Sequence, residues 1–207
     1  MKIYVQTMQY QEELITNTNS YTIVITGLGG QGLIRFLQIL GNSLMQKGYK
    51  VITSEKHGLS QRGGKVICFL RFGEKIAAPI PIIGSADMII STEKASILDV
   101  LEFAKPDRSS KLIVATYQKE TRTREYPLEE DLSIVLNENS DNVYTVPVMP
   151  IVDKFKNIKM INTIILGYIA RFLPLTEEDL LVSINQHFKG PILDLNRKAL
   201  LEGTALN

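Results

Sequence analysis

The stretch that most limits what this chain can fold into is residues 21–45. Tyr21-Thr22-Ile23-Val24-Ile25-Thr26 is rich in β-branched side chains, and Gly27-Leu28-Gly29-Gly30-Gln31-Gly32 and an apolar run from Leu33 to Met45 follow it. The first piece reads as a strand covered on both faces. In the run, Leu33, Leu37, Leu40 and Leu44 recur at helical spacing and predict a helix facing a sheet. Lys47 and Gly48 predict its stop. Between the two, Gly27, Gly29 and Gly32 fit G-x-G-x-x-G. That spacing permits a tight turn, close approach of a ligand, and close helix–strand packing. A helix leaving such a turn points unpaired N–H groups and its positive dipole end outward, which favours an anion. The same glycines also occur where a helix merely packs close to a strand. The motif alone leaves nucleotide binding and plain packing both open.

Downstream, apolar strand patterns alternate with helical ones. Residues 49–54, 66–72, 87–91, 111–117 and 143–148 read as strands, and a helix is expected around residues 95–104. Residues 119–131 carry dense charge of both signs and residues 137–142 are turn-rich, so together they read as a surface excursion. Beyond Pro150 the pattern is helical. The apolar stretch 158–175 is broken by Lys159, Asn162 and Arg171 and reads as a core helix, not a membrane span. Thr176 with Asp179 predicts a capping box opening a helix through His187. Pro191 opens a last helix reaching about Glu202. The expected class is α/β: a Rossmann-like, mostly parallel sheet flanked by helices, with a helical C-terminal segment. The expected organisation is an N-terminal extension over residues 1–20 and a single domain over residues 21–207.

Two compositional facts narrow the function. A net charge of +1 gives no electrostatic reason to expect nucleic acid or an anionic membrane as partner. The single cysteine, Cys68, excludes an intramolecular disulfide and a self-contained cysteine-ligated iron–sulfur or zinc site. A reducing, cytoplasmic setting is expected, and residues 1–20 lack the continuous apolar core of a signal peptide.

A second stretch gathers functional groups. Glu55, His57, Ser60, Gln61 and Arg62 fall within eight positions, and Gly58, Gly63 and Gly64 free the backbone around them. Loops at the carboxyl ends of parallel strands are where open α/β sheets hold ligands. Arg62 beside two glycines suits bidentate capture of a carboxylate or phosphate. Glu55, expected just after the second strand, stands about where an acid would take the ribose of NAD. The competing reading is structural: Glu55 and Arg62 pair with each other, and His57 caps a turn. Elsewhere, His187 is expected to cap a helix C-terminus and Cys68 to be a core residue. Asn162, polar on an apolar helix, is expected to make a structural hydrogen bond.

The two stretches together, Gly27 to Gly32 and Ser54-Glu55-Lys56-His57-Gly58-Leu59-Ser60-Gln61-Arg62-Gly63-Gly64-Lys65-Val66, are far more specific than either alone. With Phe72-Gly73 and Ala86-Asp87-Met88-Ile89-Ile90 they resemble the gamma-type domain of 2-oxoacid:ferredoxin oxidoreductases, the indolepyruvate branch most of all. Asn162-x-x-x-Leu166-Gly167 and Leu195-Asn196-x-x-Ala199-Leu200 fit the resemblance too, while residues 1–20 and 119–131 fall outside it. The resemblance implies a Rossmann-like subunit of an enzyme that oxidatively decarboxylates a 2-oxoacid with coenzyme A, giving an acyl-CoA, carbon dioxide and reduced ferredoxin. It implies that thiamine diphosphate and the iron–sulfur clusters sit in a partner catalytic subunit, and that this chain alone binds no cofactor. Ferredoxin is then met through the complex, and the isolated chain is expected to self-associate, as a homodimer, or to await its partner. The resemblance carries over Gly27, Gly29, Gly30, Gln31 and Gly32 as the glycine turn. It carries over Glu55, His57, Ser60, Gln61, Arg62, Gly63 and Gly64 as the second loop, on the coenzyme A side of the reaction, and assigns none of them the role of acid, base or nucleophile. Arg35 and Phe36 stand where the family usually has small residues, and Lys56 where it has an aliphatic or aromatic one. The alternatives are a free-standing NAD(P)-binding oxidoreductase and a regulatory nucleotide-binding module.

Overall fold

The computed structural model of the chain describes residues 20–57, 64–120 and 126–206. The extension before Ser20 lies outside the described residues. The first unit forms as its pattern dictates. β1 spans Tyr21–Leu28 with all eight residues buried, and α1 spans Leu33–Gln46 with Leu33, Phe36, Leu37, Leu40 and Leu44 buried against the sheet. Gly48 follows the last turn. β2 (Lys50–His57) and β3 (Lys65–Gly73) come next, then β4 (Met88–Ser91), β5 (Lys111–Ala115), α2 (Glu129–Asn139) and β6 (Asn142–Val146). The C-terminal part is helical: α3 (Met149–Phe155), α4 (Ile161–Ile169), α5 (Glu177–His187) and α6 (Pro191–Ala205).

The sheet order is β2-β3-β1-β4-β5-β6. β1, β4, β5 and β6 are mutually parallel, whereas β3 runs antiparallel to both β1 and β2. Five of the six strands therefore share one direction, and the Rossmann-like expectation of a mostly parallel sheet holds. The placement of β3 does not follow the usual dinucleotide order, in which the second strand adjoins the first.

Strand alternation splits the core into two layers. On one face Ile23, Ile25, Cys68, Leu70, Phe72, Met88 and Ile90 pack with α1 and with α4, α5 and α6. On the other, Val24, Phe69, Ile89, Leu112 and Val114 meet Ile97, Val100, Phe103, Leu132 and Leu136. In the first layer α4 and α6 touch backbone to backbone. A Cβ on Gly203 would lie 2.1 Å from the Ile164 carbonyl oxygen, and one on Gly167 2.3 Å from that of Leu200. The predicted capping box is present: Asp179 N–H donates to Thr176 Oγ1 at 3.2 Å, and Thr176 N–H donates to the Asp179 carboxylate at 2.7 Å.

Four expectations are corrected. The helix expected at 95–104 is two 3-10 segments, Lys94–Asp99 and Leu101–Phe103. Its core residues Ile97, Val100 and Phe103 are spaced by three, which one face of a 3-10 helix matches better than 3.6 residues per turn. The excursion at 119–142 contains α2, whose first turn is Glu129, Glu130 and Asp131, favourable at a helix N-terminus, and whose Leu132 and Leu136 reach the core. The stretch 158–175 is not one helix; α4 is flanked by the 3-10 turns Ile158–Met160 and Ala170–Phe172. β2 runs on to His57, so Glu55 and His57 belong to a strand, not a loop. Among the described residues no helix is long and apolar enough to cross a membrane.

Candidate functional site

β1 ends in the glycine turn, and the turn is filled from within. Gln31 folds back so that its Oε1 accepts the Leu28 N–H at 2.6 Å and the Thr92 hydroxyl at 2.9 Å. Gly27 is required by that filling: a Cβ there would lie 2.1 Å from Thr92 Oγ1 and 2.6 Å from Gln31 Oε1. Gly32 caps α1 in the left-handed region (φ 91), which an L side chain rarely adopts. The carboxamide of Asn162, on α4, donates to the Gln31 carbonyl at 2.8 Å and ties α4 to the turn. This is the structural hydrogen bond expected of Asn162. Gly27 thus serves close packing and Gly32 a left-handed turn, and the Leu28 N–H is occupied by Gln31. The start of α1, at Gly32, has no side-chain cap.

The second loop meets the first. Because Leu28 pairs with Lys65 and Val66 with His57, the β2–β3 hairpin leaves the sheet at the same end as the glycine turn. Gly29 N–H donates to the Gly64 carbonyl at 2.7 Å and joins the two. Gly27, Gly29, Gly30, Gln31, Gly32 and Gly64 therefore form one rim. Ser60, Gln61, Arg62 and Gly63 lie outside the described residues, as does the His57 side chain. Glu55 is exposed, inside β2 and opposite Cys68. β3 stands between β2 and β1, so Glu55 is about two strand spacings, roughly 10 Å, from the first strand. A ribose-binding acid would instead sit on the strand next to the turn. Cys68 is buried, and its thiol is pushed up to about 12 by burial and secondarily by the Glu55 charge, which makes it inert as a nucleophile.

Sequence reasoning missed the end of β4. Thr92 roofs the glycine turn, and its neighbour Glu93 is a carboxylate only 3% exposed. Glu93 accepts from Ser96 N–H at 3.0 Å, Ser96 Oγ at 2.7 Å, Tyr126 Oη at 2.7 Å and Lys119 N–H at 3.3 Å. It thereby fixes both ends of the connection around residues 119–126. Burial, then the bond to Glu93 and its charge, raises the Tyr126 phenol above its ordinary range. The signal available in the sequence was the polar run Ser91-Thr92-Glu93 directly after an apolar strand. His187 behaves as expected in a last helical turn: its Nδ1 meets the Ser183 carbonyl at 2.8 Å, and its Nε2 meets the Asn42 amide at 3.3 Å.

Beneath the turn, between α1, α4 and α6, lies a cavity of about 410 Å³. Phe36, Ile39 and Leu166 supply its apolar floor, and Arg35 and Lys159, both exposed, line it as well. Gln31 and Asn162 also line it, and each keeps one buried side-chain atom without a partner: Gln31 Nε2 and Asn162 Oδ1. Among the described residues no three His, Cys, Asp or Glu side chains gather in a way that could hold a metal ion.

Comparison with known proteins gives this architecture relatives. A family model described as pyruvate ferredoxin/flavodoxin oxidoreductase matches residues 22–206. Indolepyruvate oxidoreductase subunit IorB of Archaeoglobus fulgidus is 30% identical over 189 residues, 87% of this chain and 92% of the relative. The pyruvate/ketoisovalerate oxidoreductases common subunit gamma of Thermococcus kodakarensis is 26% identical over 180 residues, 85% and 91% of the two chains. Among solved structures, pyruvate oxidoreductase subunit PORC of Thermotoga maritima superposes with a TM-score of 0.66 at 19% identity, over 89% of this chain and 95% of that one. The 2-oxoglutarate:ferredoxin oxidoreductase of Magnetococcus marinus, solved with 2-oxoglutarate, coenzyme A and succinyl-CoA bound, superposes with a TM-score of 0.69 at 17% identity. That match covers 90% of this chain but only 31% of the longer polypeptide.

Proposed function

Because the chain belongs to the pyruvate ferredoxin/flavodoxin oxidoreductase family, we propose that it is the gamma-type subunit of a 2-oxoacid:ferredoxin oxidoreductase acting on an indolepyruvate-like 2-oxoacid. The observation that carries this reading is the 30% identity to an indolepyruvate oxidoreductase subunit along nearly the whole length of both chains. In this reading a partner subunit holds thiamine diphosphate, which stabilises the carbanion left by decarboxylation. The same partner holds the iron–sulfur clusters that pass electrons to ferredoxin. The described donor set of this chain offers no ligand set for a cluster. Its one thiol is buried, and its described residues bring no metal-ligating side chains together. No step of the reaction is therefore assigned to a cluster or to thiamine on this chain.

What the chain contributes is a shaped end of a sheet. The rim of glycine turn and hairpin, locked by Gly29 and Gly64, faces the partner and the coenzyme A side. Arg62, which lies between β2 and β3 in the sequence, is the residue assigned to orient an anionic group. That anion is a phosphate of coenzyme A, the substrate carboxylate, or a carboxylate of the partner. A planar guanidinium holds such a group in one orientation, which Lys would do less well.

The test is reconstitution. This chain, co-expressed with a thiamine- and cluster-bearing subunit from the same source, is assayed for reduction of a viologen dye dependent on coenzyme A and aryl pyruvates. Activity that needs both chains and prefers indolepyruvate supports the reading; a partner fully active without this chain overturns it. In the same assay Arg62→Ala is expected to weaken assembly or coenzyme A saturation by about 1.5–3 kcal/mol. Its melting temperature is expected to stay close to that of the parent.

A further inference from the structure

We propose that residues 1–19 dock on the connection between β3 and β4 and cover Ile80, Ile82 and Ile83, with Leu14 and Ile15 as the anchors. Single apolar side chains on a surface are ordinary, whereas a contiguous patch marks a contact. Ile80, Ile82 and Ile83 are 61%, 80% and 64% exposed, three large apolar residues within four positions. The connection cannot turn them inward. Pro81, between them, is buried. Arg71 Nη1 donates to the Ala78 carbonyl at 2.7 Å, Ser54 Oγ to the Pro79 carbonyl at 3.1 Å, and Ser85 Oγ to the Ile82 carbonyl at 2.6 Å. Just past the patch, Gly84 N–H donates to the Glu102 carbonyl at 3.0 Å. Pro79 and Pro81 fix φ and carry no N–H, so the segment presents side chains and not the edge of a strand. A scaffold pinned on both sides thus holds three isoleucines uncovered by the described residues.

The place where the chain enters its first strand selects the occupant. β1 pairs antiparallel with β3 and parallel with β4, so β3 ends where β1 and β4 begin, and residues 74–87 lie at that end of the sheet. Residues 1–19 enter the fold at the same end: Ser20 lines one groove of about 720 Å³ together with Ala77, Ala78, Ile80 and Ile82. Before Ser20, Thr16-Asn17-Thr18-Asn19 is a polar tether, and Leu14 and Ile15 are the first apolar side chains beyond it. Five residues reach at most roughly 17 Å, enough to cross a groove that Ser20 and Ile82 both line. A tether this short holds the segment at an effective concentration on the order of millimolar, so a small patch suffices to retain it. Other occupants fit less well. A second copy of the chain needs about 1,000 Å² of buried surface or more, and three isoleucine side chains offer on the order of a few hundred. The catalytic partner is assigned to the rim at the far end of β1, seven residue steps or roughly 23 Å away.

The test is limited proteolysis of the full chain by an endoprotease specific for glutamate, read as cleavage after Glu12 and Glu13 beside the anchors. Each rate is taken relative to a free peptide of the same sequence over residues 1–19. The parent chain is expected to resist. Ile80→Ser with Ile82→Ser should speed cleavage by about tenfold or more, because cleavage follows the undocked population. Leu14→Ser with Ile15→Ser should do the same from the other side of the contact, and the two pairs combined should be no faster than either alone. Binding of the apolar dye ANS should rise about twofold or more in the Leu14 and Ile15 variant, and fall back once Ile80 and Ile82 are changed as well. Parent cleavage as fast as that of the free peptide, or cleavage unmoved by the isoleucine substitutions, would overturn the proposal. Protection that grows with protein concentration alongside a dimer in sedimentation assigns the patch to a second copy. Protection that needs the thiamine- and cluster-bearing subunit assigns it to that partner. Either result also overturns the proposal.

Discussion

On one face of the sheet, α1, α4, α5 and α6 bury a continuous apolar layer, and two helices approach until Gly167 and Gly203 leave no room for a methyl group. On the other face a smaller apolar cluster is covered by two 3-10 segments and α2, and a buried carboxylate, Glu93, gathers four donors to hold the connection around residues 119–126. The first layer is fixed by volume and the second by a charge and its hydrogen bonds. Each should fail to the kind of substitution the other resists.

The largest effect is expected from Gly203→Ala. Its methyl would lie 2.1 Å from a backbone oxygen that cannot turn aside, so α4 and α6 must part. A loss of about 3 kcal/mol or more is expected in urea unfolding, and an unchanged midpoint would break the comparison. Glu93→Ala should come next, at about 2–3 kcal/mol, because it strands Ser96, Tyr126 and Lys119 donors around a buried space. It should also speed proteolysis near residues 119–126, which Gly203→Ala should not do beyond its effect on global stability. Equal cleavage in the two variants would merge the two layers into one.

A charge also acts on the first face, at its rim. Burial alone would raise the pKa of Asp179, but the Thr176 hydrogen bonds and Lys47, 3.3 Å away, outweigh it and hold the carboxyl below its ordinary value. The folded value lies below the unfolded one. The stabilisation is therefore complete above the unfolded pKa of about 3.9 and disappears as pH falls through the depressed folded value. Thr176→Ala should cost about 1 kcal/mol at neutral pH. The Asp179→Asn difference should be constant between neutral pH and pH 5 and vanish in stronger acid; a difference that grows on acidification would contradict this. The smallest effect belongs to Glu202→Ala, which removes a solvent-exposed pair with Lys154 at 3.2 Å and should stay within about 0.5 kcal/mol.

The parts of this molecule legible in the sequence are those set by neighbours along the chain. The β-branched run of β1, the Leu spacing of α1 and the Thr176–Asp179 box all express local geometry, and each stands where its pattern put it. The insertion of β3 between β2 and β1 was not legible, because strand order depends on pairings such as Thr22 with Arg71 that no local signal announces. The 3-10 segments hid behind a period of three that resembles a short helix, and α2 hid behind its acidic first turn. The site divides the same way. The glycine turn and hairpin were readable as separate loops. Their union through Gly29 and Gly64, the roofing of the turn by Thr92, and the bond from Asn162 join residues far apart in sequence.

The antiparallel β3 also bears on how the chain emerges from the ribosome. Once Gly73 is out, the chain holds every residue of a three-stranded sheet backed by a helix, whose contacts all lie within a short span of chain. The slower parallel pairings then add to the opposite edge of β1, on a template that is in place. A nascent chain stalled just beyond Gly73 carries both Gly29 and Gly64, whose bond clasps the turn, but neither the Thr92 hydroxyl above it nor the Asn162 amide beside it. The turn is thus shaped in two instalments, and the second arrives only when α4 has been synthesised.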